Sequence, residues 1–169
     1  MIEFTTKVGR VQVLPIQTKY AAAIYQKIAE GREEIGRFLP WAKGLTLRDE
    51  KDFLYQEKNR TYRKHPLVFT MTVNSQPVGM IDLHELDEQK KTAELGYWLA
   101  VDYQRQGITS QATKSILHYA YKTLGLEKVR VCIHPKNVAS QRVATHNHFQ
   151  VIGQKKELTC FEHPGPSFL

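Results

Sequence analysis

The sequence predicts an α/β domain in which a mixed, mostly antiparallel sheet is flanked by helices, and three observations carry that prediction. Residues 67–100 hold three consecutive strand-like runs joined by short turns, the pattern of an antiparallel meander. A helix-period segment then separates the third run from another apolar strand, and such a crossover makes the two strands it joins parallel. Helical periods also fill the stretch between the first strand and the meander, which supplies cover for the sheet.

Val11 and Val13 alternate with polar residues in a first strand closed by Pro15. The ten residues before them are mixed polar and charged. Tyr20, Ala23, Ile24, Ile28, Ile35, Phe38 and Leu39 recur at helical spacing, and Gly31 and Gly36 divide them into two short helices stopped by Pro40. Thr46 is an N-cap with Asp49 placed to complete a capping box, and the helix it opens runs to about residue 63, ahead of His65 and Pro66. Residues 67–73, a turn at 74–77 and residues 78–83 form a hairpin, and residues 92–100 add the next strand. Ile116, Leu117, Ala120, Tyr121 and Leu124 mark a helix closed by Gly125, followed by a strand at 129–133, a helix at 137–147 and a sixth strand at 149–158.

A chain of 169 residues with 41% hydrophobic content suits a single domain, residues 1–169, with a sizeable core. No window is apolar enough for a membrane span, no leader is visible, and cytoplasmic residence without a membrane partner is the expectation. The two cysteines, Cys132 and Cys160, make neither a disulfide framework nor a metal cluster, and seven scattered histidines give no structural metal site. A net charge of +7 suits an acidic partner, but the cations are dispersed among carboxylates, as at Glu88, Lys90 and Lys91. Direct nucleic-acid binding is therefore not expected.

The densest chemical signal lies between the meander and the helix that follows it. Gln104, Arg105, Gln106, Gly107, Ile108, Thr109 and Ser110 make a polar, glycine-centred turn that opens a helix. The first N–H groups of a helix lack backbone partners and carry about half a positive charge, so such a turn can hold a phosphate. Further on, Asn137 and Ser140 stand three residues apart, on one face of a helix start.

The order of elements and these motifs resemble the GNAT N-acetyltransferase fold from about Gln76 to Gly153. The family signature, Gln or Arg, two residues, Gly, one residue, then Gly or Ala, is met by Gln104, Gly107 and, with a departure, Thr109, whose hydroxyl can itself bond a phosphate oxygen. The run Ala93, Glu94, Leu95, Gly96, Tyr97, Trp98, Leu99 and the later group Asn137, Ser140, Asn147 and Phe149 are similar to the RimJ/RimL-like branch of ribosomal-protein N-terminal acetyltransferases. The resemblance implies acetyl-CoA as cofactor. Its diphosphate would sit on the turn from Gln104 to Ser110, and its pantetheine arm would lie along Trp98, Leu99 and Ala100 with Asn137 in contact. It also implies direct transfer to a primary amine in a ternary complex, most simply the amino terminus of a ribosomal or other protein.

Glu94 is the leading candidate for the base and Ser140 for the group assisting the departing thiolate, with Glu157 a second candidate base. His84, on the third strand, could reach the cleft, but reads as a surface or core histidine before a catalytic one, and Trp41 as an anchor between helices or a lining of the acceptor cleft. Relatives end in a strand inserted beside the fifth. Here the atypical tail, residues 159–169, with Pro164, Gly165 and Pro166, reads as unable to supply one. Either a partner chain finishes the sheet, or the sheet is left open, or the chain is a shortened or altered version of its relatives; an open edge would favour a homodimer. Acetylation of small-molecule amines and non-catalytic binding of coenzyme A are the alternative functions.

Overall fold

Ile2, Phe4, Val11 and Val13 alternate with Glu3, Arg10 and Gln12, and the computed structural model, which describes residues 2–169, folds them into a hairpin. Strand β1 (Ile2–Thr6) pairs antiparallel with β2 (Gly9–Pro15), placing Phe4 opposite Val11. Glu3 ties the pair by accepting from Arg10 at 2.5 Å and Gln12 at 3.1 Å. The strand read as the first, at Val11 to Pro15, is thus the second. The half-buried residues of β1 alternate with exposed ones, a weak pattern that pairing with β2 completes.

Helices α1 (Ala21–Glu30) and α2 (Arg32–Gly36) are separated at Gly31. Ala21, Ile24 and Ile28 are buried on one stripe of α1, which packs against α3 (Leu47–Glu57) and its buried Leu54. Thr46 and Asp49 form the reciprocal capping box at the start of α3, with the Thr46 hydroxyl accepting from Asp49 N–H at 3.2 Å and the Asp49 carboxylate accepting from Thr46 N–H at 2.9 Å. This helix stops at Glu57, short of residue 63. Arg63 and Lys64 take left-handed φ values of 52° and 67° and turn a small hairpin between β3 (Thr61–Tyr62) and β4 (His65–Pro66).

The meander follows. Asn74 and Ser75, both at positive φ, join β5 (Val68–Val73) to β6 (Gln76–Asp87), and β7 (Thr92–Leu99) comes next. The rest of the chain forms α4 (Ile108–Lys122), β8 (Lys128–Ile133), α5 (Val138–His146), β9 (Gln150–Lys155) and β10 (Leu158–Glu162). Two compact units emerge. The first comprises the chain up to Asp82 with Tyr97–Ile108, and its strands lie in the order β1-β2-β5-β6, all antiparallel. The second comprises Leu83–Gly96 with Thr109–Leu169, ordered β6-β7-β8-β10-β9. In that second unit β7 and β8 are parallel, as the crossover through α4 requires, while β10 is antiparallel to both β8 and β9.

Three expectations about the end of the chain are overturned together. The last strand, read as missing, is β10. Phe161 pairs with Val131 and Glu162 with Arg130, so the strand is complete before Pro164 and the prolines never enter the ladder. The long sixth strand is in fact two, because Lys156, at a φ of 56°, and Glu157 turn the chain back on itself. Insertion of β10 beside β8 also removes the open edge from which a dimer was inferred, and leaves β9 as the outermost strand of the second unit.

Cys132 and Cys160 stand directly opposite each other on β8 and β10, with Cα atoms 4.1 Å apart, and form a disulfide. Separation by 28 residues hid the pairing from the sequence. The tail is likewise tied down rather than loose. His163 donates its backbone N–H to Val129 O at 2.9 Å and buries its ring, on whose Nδ1 the Tyr121 hydroxyl (2.9 Å) and the Gly165 N–H (3.2 Å) converge. Among the described residues no helix is long and apolar enough to cross a membrane.

Candidate active site

A short 3-10 turn, Val101–Tyr103, carries the chain from β7 to the polar turn. Gln104 is extended and its side-chain amide donates to Leu99 O at 3.2 Å, which fixes the entry to the turn. Arg105 and Gly107 both have positive φ, 61° and 77°, on either side of Gln106, and Ile108, only 1% exposed, plugs the first residue of α4 into the core. A Cβ built on Gly107 would meet nothing within 4 Å. The glycine is therefore required by backbone conformation, and its outer side is open for an anion to approach the helix start. Further into α4, Ser110 Oγ accepts from Asn147 Nδ2 at 3.1 Å, and Asn147 also donates to Val143 O. Buried Asn147 thus holds the first turn of α4 to the end of α5.

Trp98, Leu99 and Ala100 are all buried, at 8%, 8% and 2% exposure. Ala100 N–H donates to Val78 O at 2.8 Å and Leu99 O is taken by Gln104. Gly79 faces the backbone of Trp98 so closely that a Cβ there would lie 2.4 Å from its carbonyl oxygen. These three residues are brought together with the polar turn within the first unit.

The second unit brings together two other groups. Asn137 is the N-cap of α5, its Oδ1 accepting from Ser140 N–H at 3.2 Å, so its carbonyl end serves the helix and its amide end points elsewhere. Ser140 is half-buried in the first turn of the same helix. Glu94 closes the parallel ladder. The β7–β8 register holds three pairs and ends with Glu94 opposite Arg130, although both strands continue. Around the Glu94 carboxylate are His84 Nε2 at 3.8 Å and Lys155 Nζ at 3.5 Å. His84 first, and Lys155 as a nearby positive charge, hold that carboxyl below the ordinary glutamate range against the opposing effect of half-burial.

Glu157 lies exposed in the turn between β9 and β10. Trp41 is 46% exposed on the 3-10 turn Pro40–Lys43, whose carbonyls at Ala42 and Lys43 are held by the Arg32 guanidinium. Sequence reasoning preferred a dull role for His84 and did not bring Lys155 to Glu94. His84 carried no motif, and Lys155 reaches Glu94 although β8 and β10 lie between β9 and β7 in the sheet, a proximity no spacing rule contains.

The acetyltransferase (GNAT) domain family matches residues 10–150. Over 157 residues the chain is 26% identical to Bacillus subtilis (strain 168) YdaF, covering 91% of this chain and 86% of that protein. It is 24% identical over 155 residues to the ribosomal-protein-serine acetyltransferase of Escherichia coli (strain K12), covering 90% of this chain and 87% of that one. Among solved structures, Mycobacterium smegmatis RimJ in complex with CoA-disulfide superposes with a TM-score of 0.84 at 17% identity, over 95% of this chain and 85% of that chain. This last likeness is one of fold.

Proposed function

This chain belongs to the acetyltransferase (GNAT) domain family, and from that premise we propose that it transfers an acetyl group from acetyl-CoA directly to the amino terminus of a ribosomal or other protein. The observation that carries the reading is the start of α4, where left-handed Arg105 and Gly107 present an open, glycine-cleared helix N-terminus. These residues fit the cofactor. The turn from Gln104 to Ser110 would hold its diphosphate and Asn137 its amide arm, and bound acetyl-CoA supplies the activated acetyl thioester.

A free amino terminus ordinarily titrates at about pH 8, so near neutral pH it must first lose a proton. Glu94 belongs to the path that takes that proton, and the Ser140 hydroxyl holds a proton for the departing sulfur. Likeness to a ribosomal-protein-serine acetyltransferase and to YdaF supports a protein acceptor over a small amine. Cytoplasmic residence and a homodimer belong to the same proposal. The outer edge of β9, with Val151 64% and Ile152 52% exposed, offers a strand on which a second copy could add.

The test is mass spectrometry of a panel of amino-terminal peptides and free amines incubated with acetyl-CoA, beside calorimetry of coenzyme A binding. Transfer to peptide amino termini is expected, together with at least a tenfold loss of coenzyme A affinity in Gly107→Val, whose β-branched side chain is disfavoured at positive φ. Transfer confined to free amines would replace the acceptor. Coenzyme A binding with no transfer to any amine would leave a binding module.

A further inference from the structure

Residues 150–160 form a hairpin with little apolar burial to hold it. All of β9 is exposed, Lys156 and Glu157 turn in solvent, Leu158 and Thr159 are half-buried, and only Cys160 is buried. Among the described residues β9 pairs with no strand but β10. A segment of this kind opens locally unless something else fastens it. We propose that the Cys132–Cys160 pair is a redox-responsive clasp. Oxidised, it keeps this hairpin on the sheet and Lys155 on Glu94; reduced, it lets the tip of the hairpin swing away and carry Lys155 with it.

The roots of the hairpin are anchored separately. Phe149 and Phe161 are each 4% exposed, Glu162 accepts from Lys128 Nζ at 2.9 Å and Arg130 Nε at 2.8 Å, and buried His163 donates its backbone N–H to Val129 O. Those anchors stop at Phe161. Toward the tip, β10 meets β8 only at Cys160 and Thr159, opposite Cys132 and Ile133. The register of β10 with β9 shifts between Cys160 and Phe161, where the anchored half gives way to the clasped half.

The clasp and the ion pair share one face of the second unit. Glu94 pairs with Arg130, two residues before Cys132, and Lys155 pairs with Leu158, two residues before Cys160. Ladder partners, and residues two apart on a strand, point to the same side. Lys155 Nζ therefore reaches to 3.5 Å from Glu94 Oε2 across the two strands that the disulfide joins. With Lys155 58% exposed, this pair holds the hairpin weakly and follows it. The other charged groups at Glu94 are His84 from β6, at 3.8 Å, and Arg130 from β8, engaged by Glu162. Both stay behind when the tip opens, so Lys155 alone is withdrawn.

Cys132 is half-exposed and Cys160 only 7% exposed, which directs an attacking thiolate to Cys132 Sγ. The attacker is a low-molecular-weight thiol such as glutathione. The Cys132–Cys160 bond breaks as a mixed disulfide forms on Cys132, and Cys160 leaves as a thiolate that takes a proton from solvent. A second thiol attacks the mixed disulfide, frees the Cys132 thiol and departs joined to the first, so two electrons pass from the thiols to the cystine. The disulfide of that thiol reverses the sequence. In the cytoplasm proposed above, cystines are usually transient and catalytic or redox-sensing.

The bearing of the clasp on catalysis rests on the transfer reading above, but the clasp itself is read without turnover. Amide exchange of the full chain, in glutathione disulfide and then in dithiothreitol, tests it beside a carboxyl NMR titration of Glu94. Reduction is expected to accelerate exchange at 150–160 about tenfold or more beyond any change at 128–131 and 161–163. The Glu94 carboxyl, which His84 and Lys155 hold low, titrates at higher pH once Lys155 has gone. Lys155→Met moves that titration upward in the oxidised protein, and reduction then adds nothing. Cys132→Ser shows the open hairpin without reductant.

Exchange at 150–160 unmoved by reduction would overturn the clasp. So would equal acceleration at 150–160 and 161–163, the mark of a unit that unfolds as a whole. A Glu94 titration that is the same in both redox states overturns the link to Lys155. A wild type that acetylates no amine, while hairpin and Glu94 both answer to reduction, overturns the transfer reading and leaves the clasp standing.

Discussion

Glu50 in the first unit and His163 in the second are both withdrawn from water, at 3% and 1% exposure, and burial holds both neutral, yet the two respond to pH in opposite senses. Burial pushes the Glu50 carboxyl up to about 7, and its Oε1 has no hydrogen-bond partner. Burial, with a smaller electrostatic contribution from His148, pushes the His163 imidazole down to about 4, while Nδ1 is satisfied by Tyr121 and Gly165. The first unit therefore rests on an acid that must stay protonated and the second on a base that must stay unprotonated. The second unit alone also holds both cysteines. A change of redox state or of pH thus acts on the two units through different groups.

The largest effect separating them is reduction of the disulfide. Closing a loop of 28 residues restricts the unfolded chain by roughly 3–4 kcal/mol in the chain-entropy account, and all of that constraint falls in the second unit. Dithiothreitol, or the double change Cys132→Ser and Cys160→Ser, is expected to lower the urea midpoint accordingly. Amide exchange should accelerate on β8 and β10, with β2 and β5 keeping their protection. Equal loss of protection on β2 and β5 would show that the contrast between the units has no energetic content.

Next in size are the two buried ionisable groups, each contributing on the order of 3 kcal/mol over its window. For His163 the folded value, about 4, lies below the unfolded 6.5, so the unfolded chain binds more protons between them and stability falls as pH drops through that window. For Glu50 the folded value, about 7, lies above the unfolded 4.5, so the folded chain binds more protons and stability falls as pH rises. The two slopes oppose each other between pH 4.5 and 6.5. Wild-type stability should change little there, Glu50→Gln should make it rise with pH, and His163→Phe should make it fall. Chemical denaturation at half-unit intervals measures this, and identical slopes in the two variants would refute it. The carboxyls lowered by ion pairs, Glu94 and Glu162 among them, act below this window.

The parts of this molecule that were legible in the sequence are those fixed by near neighbours. The Thr46–Asp49 capping box, the break at Gly31, the Asn74–Ser75 hairpin and the turn at Gly107 each depend on residues within a few positions. What escaped was set by distant partners. β1 exists because β2 pairs with it, β10 because β8 and β9 flank it, and the disulfide because the register puts Cys132 opposite Cys160. The prolines of the tail were weighed against residues 158–162, although they follow them and cost that strand nothing. Helix α3 was overrun because Arg63 and Lys64 reverse the chain without glycine. The contact between Asn137 and Ser140 is one that their three-residue spacing allows, whereas the company of Glu94 depends on β6 and β9.

The smallest expected difference sets one helix cap against another. Thr46 caps α3 in the first unit and Asn137 caps α5 in the second, each accepting the N–H three residues on. Substituting either by alanine removes one such bond, so Thr46→Ala and Asn137→Ala should each cost about 1 kcal/mol of stability. The two caps part company in their second duty. Among the described residues Thr46 shares its hydroxyl only with Asp49, at 2.6 Å, whereas Asn137 keeps an amide end that the cap does not use. With that amide on the arm of the cofactor, Asn137→Ala raises KM for acetyl-CoA several-fold, and Thr46→Ala leaves it within error at a temperature where both variants are fully folded. Matched stabilities with unmatched KM values would show that the second unit uses a helix cap for binding as well as for folding. A KM unchanged in both would reduce Asn137 to what Thr46 is.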